Sequence, residues 1–321
     1  MPTSAGSTTT RPDSVPAAAR DRGPGWSRRA WLRRDALTGY LFLSPAYVLF
    51  LVFLAGPLVG AIALSLFSWQ LLGTSEFVGF ANFVKLAGDE TALAAIGNTF
   101  VFTFWSVVLH IGLGLPLALA VHRAMPAVLS YFLRASVFFP MLVSWAAVSL
   151  IWKYILDPNF GLINHYLDRL GLPSPTFLVD PEWAMPAVVF VDLWKTLGFT
   201  FIILLAGLQG IPTHLYEAAK VDGASAFQRF WSITIPMLSP TLFFATIITF
   251  IGAFQIFEPM YIMTEGGPKD TTLSIVMHIY ETAFRGFEMG YGSALALVVF
   301  VVIMIVTLVQ LRLGRHWVHY E

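Results

Sequence analysis

EAAKVDGASAFQRFWSITIPMLSP, residues 217–240, is a polar segment set between two long apolar stretches, and its residues predict helix, bend, helix, membrane. Thr213 is placed to cap a helix that starts after Pro212, satisfying amides left free at its first turn. Glu217, Ala218, Ala219 and Lys220 favour helix, and Glu217 lies near the positive end of the dipole. Gly223 ends this helix because glycine takes the left-handed conformation at low cost. Ser225 with Gln228 forms a capping box for a second short helix, and Pro236 marks the entry into the next apolar stretch. The small side chains of Ala218 and Ala219 leave one face of the first helix nearly smooth. A partner groove could approach there closely, with Glu217 and Asp222 at its ends for polar contacts. The competing reading is an ordinary connector, which needs no pair of capped helices.

The flanking stretches are the rule along this chain. Runs without Asp, Glu, Lys or Arg cover 36–75, 91–122, 135–152, 196–216, 230–257 and 289–311. Each is about as long as, or longer than, the ~18 apolar residues that suggest a spanning helix. Trimmed of polar and turn residues, the spans fall near 40–68, 97–121, 131–153, 184–208, 236–262 and 291–312. Lipid offers no partner for an unpaired backbone group, so the spans are helical. The expected fold is an all-α polytopic membrane protein with six transmembrane helices.

Composition agrees. The hydrophobic fraction is 57%, charged residues make up 12%, and the mean hydropathy is +0.71. A soluble chain of 321 residues could not hide that much apolar surface. The absence of cysteine excludes disulfides, thiolate metal sites and cysteine nucleophiles. A net charge of +0 and no basic patch with interleaved aromatics argue against nucleic acid as a partner. His316 and His319 have helical spacing but lack a third ligand, so no metal site is expected. His110 is isolated in the second span and reads as packed or hydrogen-bonded rather than as a proton relay.

Lys and Arg orient the chain. With the N-terminus inside, thirteen of them fall on the cytoplasmic side and six opposite, which favours both termini in the cytoplasm and places the 210–235 loop there too. Residues 1–35, rich in Ser, Thr, Pro, Ala and Arg, are expected to form a disordered cytoplasmic tail, with residues 36–321 as the membrane domain. The first apolar run is too long and starts too late for a cleaved signal peptide, so it reads as an anchor. Of the outside segments, 154–183 should hold a short helix over Leu162–Leu170, stopped by Gly171 and Pro173. A turn cluster, Thr264–Pro268, opens the segment 263–290. These loops are too small for an enzyme domain and of a size for docking.

Glu217, Ala218, Ala219, Gly223, Ile233, Ile235 and Pro236 match the EAA pattern of the coupling loop in bacterial ABC-importer permeases. Beyond it, the chain resembles carbohydrate-class permeases of the maltose and glycerol-3-phosphate importers. The matching pieces are FVGFANFVKL (77–86), NTFVFT (98–103), DLWKTLGF (192–199), LQGIPTHLYEAAKVDGAS (208–225), FQIFEPMYIMTEGGP (254–268) and FRGFEMGYGSALA (284–296). The fit looks closest to the first permease subunit of the glycerol-3-phosphate importers. The resemblance implies a type I importer transmembrane domain in the bacterial cytoplasmic (inner) membrane. It also implies a second homologous permease subunit, an ATPase dimer that binds ATP and Mg, and an extracytoplasmic solute-binding protein. The chain lacks a GxxxxGK[ST] phosphate loop and would bind no cofactor and perform no bond chemistry. The alternative from another class is an ion-gradient-driven secondary transporter or channel, which would need charged relays or broken helices near mid-membrane.

For the solute path, Gln255, Glu258 and Tyr261 are three apart and would share one face of the fifth span, with Phe254 and Phe257 beside them. Carbohydrate sites often combine amide or carboxylate hydrogen bonding with aromatic stacking, so this face is the first candidate. Hydration of Glu258 at the outer interface is the blander reading. Asp192 and Lys195 could pair with each other near a membrane edge, or Lys195 could meet an anionic solute.

Overall fold

The computed structural model describes residues 28–69, 75–122 and 125–318. Residues up to Pro57 and residues from Leu58 onward form two compact units. In the first, a helix runs from Arg28 through a π-helical turn at Leu51–Ala55. Helix therefore reaches back into the segment expected to be tail, while residues 1–27 lie outside the described residues.

Among the described residues, five helices are long and apolar enough to cross a membrane: α1 (Thr38–Ser65), α3 (Glu90–His122), α7 (Pro181–Gln209), α9 (Ala226–Phe254) and α11 (Met289–Trp317). A two-residue antiparallel pair, Phe67–Ser68 with Glu76–Phe77, and the short α2 (Ala81–Ala87) lie between α1 and α3. The Asn82 amide holds this turn by donating to the carbonyls of Ser65 (2.7 Å) and Phe67 (3.0 Å).

The third span is not the single helix expected over 131–153. It consists of α4 (Ala127–Leu142) and α5 (Trp145–Ile155), bent by 100° at the break. Pro140 sits in a closing 3₁₀ turn and supplies no amide donor, and Val143 is extended (ψ 142°). Ser144 then starts α5 as a new helix, its hydroxyl accepting from the Ala147 amide at 3.3 Å. Freedom from charge reports compatibility with lipid; it does not report straightness.

The fifth span departs in two ways. It begins at Ala226 rather than at Pro236, the missing proline amide being accommodated by a π-helical turn at Phe230–Thr234. It ends at Phe254, with Gln255–Phe257 non-helical before a second π-helical turn at Met260–Thr264. Gln255, Glu258 and Tyr261 therefore do not share the helical face their spacing predicted.

The other α-helices among the described residues are α6 (Leu162–Arg169), α8 (Thr213–Val221) and α10 (Ile275–Tyr280), the last running into a π-helical turn at Glu281–Arg285. As expected, α6 is followed by Gly171 in the left-handed region (φ +67°). α10 falls in a segment read as loop; its six residues are too few for a periodic pattern to declare a helix.

α7 is the axis of the second unit, with 61% of its most apolar window buried, against 11% for α11. α3 and α9 pack along it, and small residues allow the contact. A Cβ on Gly198 would lie 2.4 Å from the Val137 carbonyl oxygen of α4, and one on Gly207 would lie 2.6 Å from the Thr241 hydroxyl of α9. In a bilayer, where apolar side chains gain little from leaving lipid, such close packing supplies much of the helix–helix attraction.

At the end remote from α8, Asp89 precedes α3 and accepts from the Ala92 amide (3.0 Å) and the Tyr291 hydroxyl of α11 (2.6 Å). Lys85 of α2 pairs with Glu288 and lies 4.1 Å over the Tyr291 ring. Burial pushes the Asp89 carboxyl upward. The hydrogen bonds from Tyr291 and Ala92 and the nearby His278 outweigh it and hold the group below its ordinary value.

Candidate functional site: a capped loop and a polar cavity

In the 210–235 loop, α8 has Pro212 at its N-cap with no side-chain bond, and Thr213 is the first helical residue, not the cap. The C-terminal end is closed as the sequence predicts. Gly223 is left-handed (φ +77°), and the Ala224 amide reaches back to the Ala219 carbonyl at 2.8 Å. The capping box is formed in both directions: the Ser225 amide donates to Gln228 Oε1 (2.7 Å) and the Gln228 amide to Ser225 Oγ (3.3 Å). The second helix runs on without a stop into the membrane span as α9.

Glu217, Ala218, Asp222 and Gly223 are exposed, and Ala219 is half-buried. Sequence reasoning missed the apolar part of this surface. Val221 is 88% exposed and Phe227 72% exposed, on either side of the Gly223 bend. Their signal was visible as two apolar residues inside a polar loop.

The second feature is a cavity of about 240 Å³ between α3, α7, α9 and the α4–α5 break. α3 contributes Ser106 and His110, and α7 contributes Asp192, Thr196 and Thr200. Thr249 comes from α9, and Gln255 and Glu258 come from the irregular segment beyond it. Ser106 donates its hydroxyl to the Asp192 carboxylate. His110 donates from Nδ1 to the Ser106 carbonyl (2.6 Å), and its Nε2 lies 2.7 Å from the Thr196 hydroxyl. Both ring nitrogens are thus engaged by neighbours, which agrees with a hydrogen-bonded histidine. Ser106 and His110, and Asp192, Thr196 and Thr200, recur at four-residue spacing, so each set lines one helix face.

Both interruptions of the spans open onto this cavity. Met141 and Trp145 flank the first, and Gln255, Ile256 and Glu258 belong to the second. Non-helical backbone at membrane depth is tolerated where it is buried in protein or lines a cavity. Each break has a dedicated polar partner. Lys195 Nζ donates to the Met141 carbonyl (3.4 Å) and lies 4.6 Å over the Trp145 ring. Ser274, fully buried, donates its hydroxyl to the Ile256 carbonyl (2.9 Å).

Of the expected path residues, the structure brings Gln255 and Glu258 to the cavity and leaves the other three away from its lining. Phe254 is core, 1% exposed, with its ring 5.0 Å edge-on from Phe100. Tyr261 stacks on Phe257 (5.1 Å) and accepts from Arg285 (2.9 Å). Lys195 is buried on the break and forms no ion pair with Asp192 among the described residues. Gln255 also borders a second, largely apolar groove of about 480 Å³ along α11.

Residues 110–319 match the family described as binding-protein-dependent transport system inner membrane component. The chain is 36% identical over 295 residues to the sulfoquinovosyl glycerol transport system permease protein SmoG of Agrobacterium fabrum, covering 91% of this chain and 94% of that protein. It is 32% identical over 283 residues to the sn-glycerol-3-phosphate transport system permease protein UgpA of the same organism, covering 88% and 96%. The crystal structure of a bacterial alginate ABC transporter, in complex with an alginate pentasaccharide-bound periplasmic protein, superposes with a TM-score of 0.80 at 27% identity, covering 90% of this chain and 98% of that one. The chain therefore belongs to this family. It is a multi-pass inner-membrane permease subunit of an ATP-driven importer, not an enzyme, and it is coupled to a separate ATPase. The ion-gradient carrier reading falls with that finding. The narrower likeness to glycerol-3-phosphate permeases is not singled out, since permeases named for different solutes match at similar identity.

Proposed function

We propose that this chain supplies half of a path for an uncharged, hydroxyl-rich solute of the carbohydrate class. The remaining half would come from a homologous permease subunit, and a solute-binding protein would deliver the cargo. An ATPase dimer would seat on α8 and the Gly223 bend, gripping Val221 and Phe227 and meeting Glu217 and Asp222 at the rim. The names of the relatives include both sugars and charged solutes, so likeness does not choose between them. The lining does. Two carboxyl groups, Asp192 and Glu258, border the cavity with hydroxyls and one carboxamide, and no Lys or Arg lines it. Carboxyl and amide oxygens accept from sugar hydroxyls, whereas a phosphate would meet two groups of its own sign, and the nearby Lys195 ammonium is already engaged by the Met141 carbonyl and the Trp145 ring.

The observation that carries this reading is the meeting of two span breaks at one polar cavity. A solute leaving water needs its lost hydrogen bonds replaced, and the polar side chains gathered at the two breaks could supply them. In the transport cycle, the partner ATPases would close on ATP and carry α8 with them, and the permease pair would switch its opening from one side to the other. The work would come from differential affinity for ATP in the two states. The test is solute-stimulated ATP hydrolysis by the assembled complex in liposomes, with neutral mono- and disaccharides set against glycerol 3-phosphate. Stimulation by an uncharged sugar is expected. Stimulation by the phosphate ester alone would overturn the solute assignment and leave the permease role intact.

A further inference from the structure

A second cavity, of about 260 Å³, lies beside the coupling loop and apart from the solute path. Leu119, Leu208 and Phe230 give it an apolar wall, while His122, Lys220 and Arg229 supply its nitrogen-bearing groups; no Asp or Glu lines it. Lys220 and Arg229 take part in no ion pair among the described residues, and the acids of the same loop, Glu217 and Asp222, are exposed outside this lining.

The position of Arg229 is informative. It lies in the first turn of the 29-residue helix α9, at the positive end of the dipole, where a cation is disfavoured and an anion stabilised. Lys220, by contrast, closes α8, where a cation is favoured. The Arg229 charge is therefore the one with no local compensation. The Tyr216 and Thr234 hydroxyls, 2.9 Å apart, also line the cavity and give it neutral hydrogen-bonding groups.

We propose that this cavity binds a phosphate ester, with Lys220 and Arg229 on the phosphoryl oxygens and Leu119, Leu208 and Phe230 against the attached carbon skeleton. Basic pockets between spanning helices on the cytoplasmic side suit the headgroups of anionic lipids, and this cavity lies where α3 and α7 end. A free phosphate ester carries the same chemistry. The inference rests on the reading that the 210–235 loop faces the cytoplasm. A phosphate ester held there would tie the loop to the bundle, so its binding would bias the element through which ATP hydrolysis is coupled.

The test uses the full-length chain alone, without solute or ATP, so its outcome is independent of the transport assignment. In one arm, the chain is reconstituted in phosphatidylcholine vesicles with and without phosphatidylglycerol, and retained lipid is read by native mass spectrometry after extraction. In the other, glycerol phosphate is titrated calorimetrically into the detergent-solubilised chain. The Lys220→Gln/Arg229→Gln double variant should bind about twenty-five-fold more weakly, at roughly a factor of five per basic side chain. Lys153→Gln, at the opposite end of the bundle, should bind as the wild type does. Selective phosphatidylglycerol retention assigns the site to lipid, and glycerol phosphate binding assigns it to a soluble ester. Equal behaviour of wild type and double variant in both arms overturns the proposal. Wild-type binding should also weaken with salt, a readout that needs no variant; salt-independent binding overturns the proposal equally.

Discussion

Lys195 of α7 donates to the carbonyl of Met141 across the break between α4 and α5, at 3.4 Å, with its ammonium group over the Trp145 ring. A lysine that sequence alone offers as a solute ligand is spent on holding a broken span. Lys195→Met keeps most of the stem but removes the donor. A hydrogen bond from a charged group contributes about 1.5–3 kcal/mol, so this variant should lose that order of stability. Thermal unfolding of the solubilised chain reads it; an unchanged midpoint would show that the contact is incidental.

Gly223 should be intolerant for backbone reasons alone. Its φ of +77° is closed to proline, which is locked near −65°, while a Cβ there meets open space. Gly223→Pro should abolish solute-stimulated ATP hydrolysis in liposomes without preventing insertion, whereas Gly223→Ala should retain part of it. Glu217→Lys should uncouple by reversing charge at the docking helix. Wild-type stimulation in both Gly223→Pro and Glu217→Lys would sink the coupling assignment.

Gln255→Leu should weaken solute handling about five- to hundred-fold, the equivalent of one hydrogen bond of roughly 1–3 kcal/mol. Basal ATP hydrolysis and complex assembly should be retained. Phe244→Leu, at an exposed position of α9 that lines neither cavity next to Gln255, is the control and should change little. Equal losses at both positions would mean that the α9 break serves packing only.

Asp89 gives a pH dependence with a definite sign. Its folded-state pKa lies below the ordinary 3.8, so its stabilising contribution is present above that value and is lost as pH falls through the folded pKa. Asp89→Asn should therefore be less stable than wild type at neutral pH, and the difference should shrink below about pH 3.8. Tyr291→Phe, which removes a 2.6 Å donor, should move the wild-type acid transition upward. A gap between Asp89→Asn and wild type that is constant with pH would refute this account.

Orientation is checked by reporter fusions. A reporter active only in the cytoplasm should work when placed after Arg315 or within 222–228 and fail within 160–175. Activity in the 160–175 loop would overturn the topology inferred from the Lys and Arg distribution.

The Ser225–Gln228 capping box and the left-handed Gly223 were legible because each is a contract among residues a few positions apart. Thr213 misled because a hydroxyl beside a helix start satisfies the pattern, while the helix starts one residue earlier than it required and places Thr213 inside its first turn. The solute-path reading was half legible. Gln255 and Glu258 do border the cavity, but the helix meant to align them with Tyr261 ends at Phe254.

Membrane residence, the number and approximate limits of the apolar runs, and the capped loop between the fourth and fifth of them follow from the sequence alone. Hydropathy and capping are local quantities, summed over one helix or one turn. Where the spans break, and which residues meet at the breaks, only the tertiary structure decided. A freed carbonyl inside a bilayer persists only when a donor reaches it from elsewhere. The donors here, Lys195 for Met141 and Ser274 for Ile256, lie 54 and 18 residues along the chain.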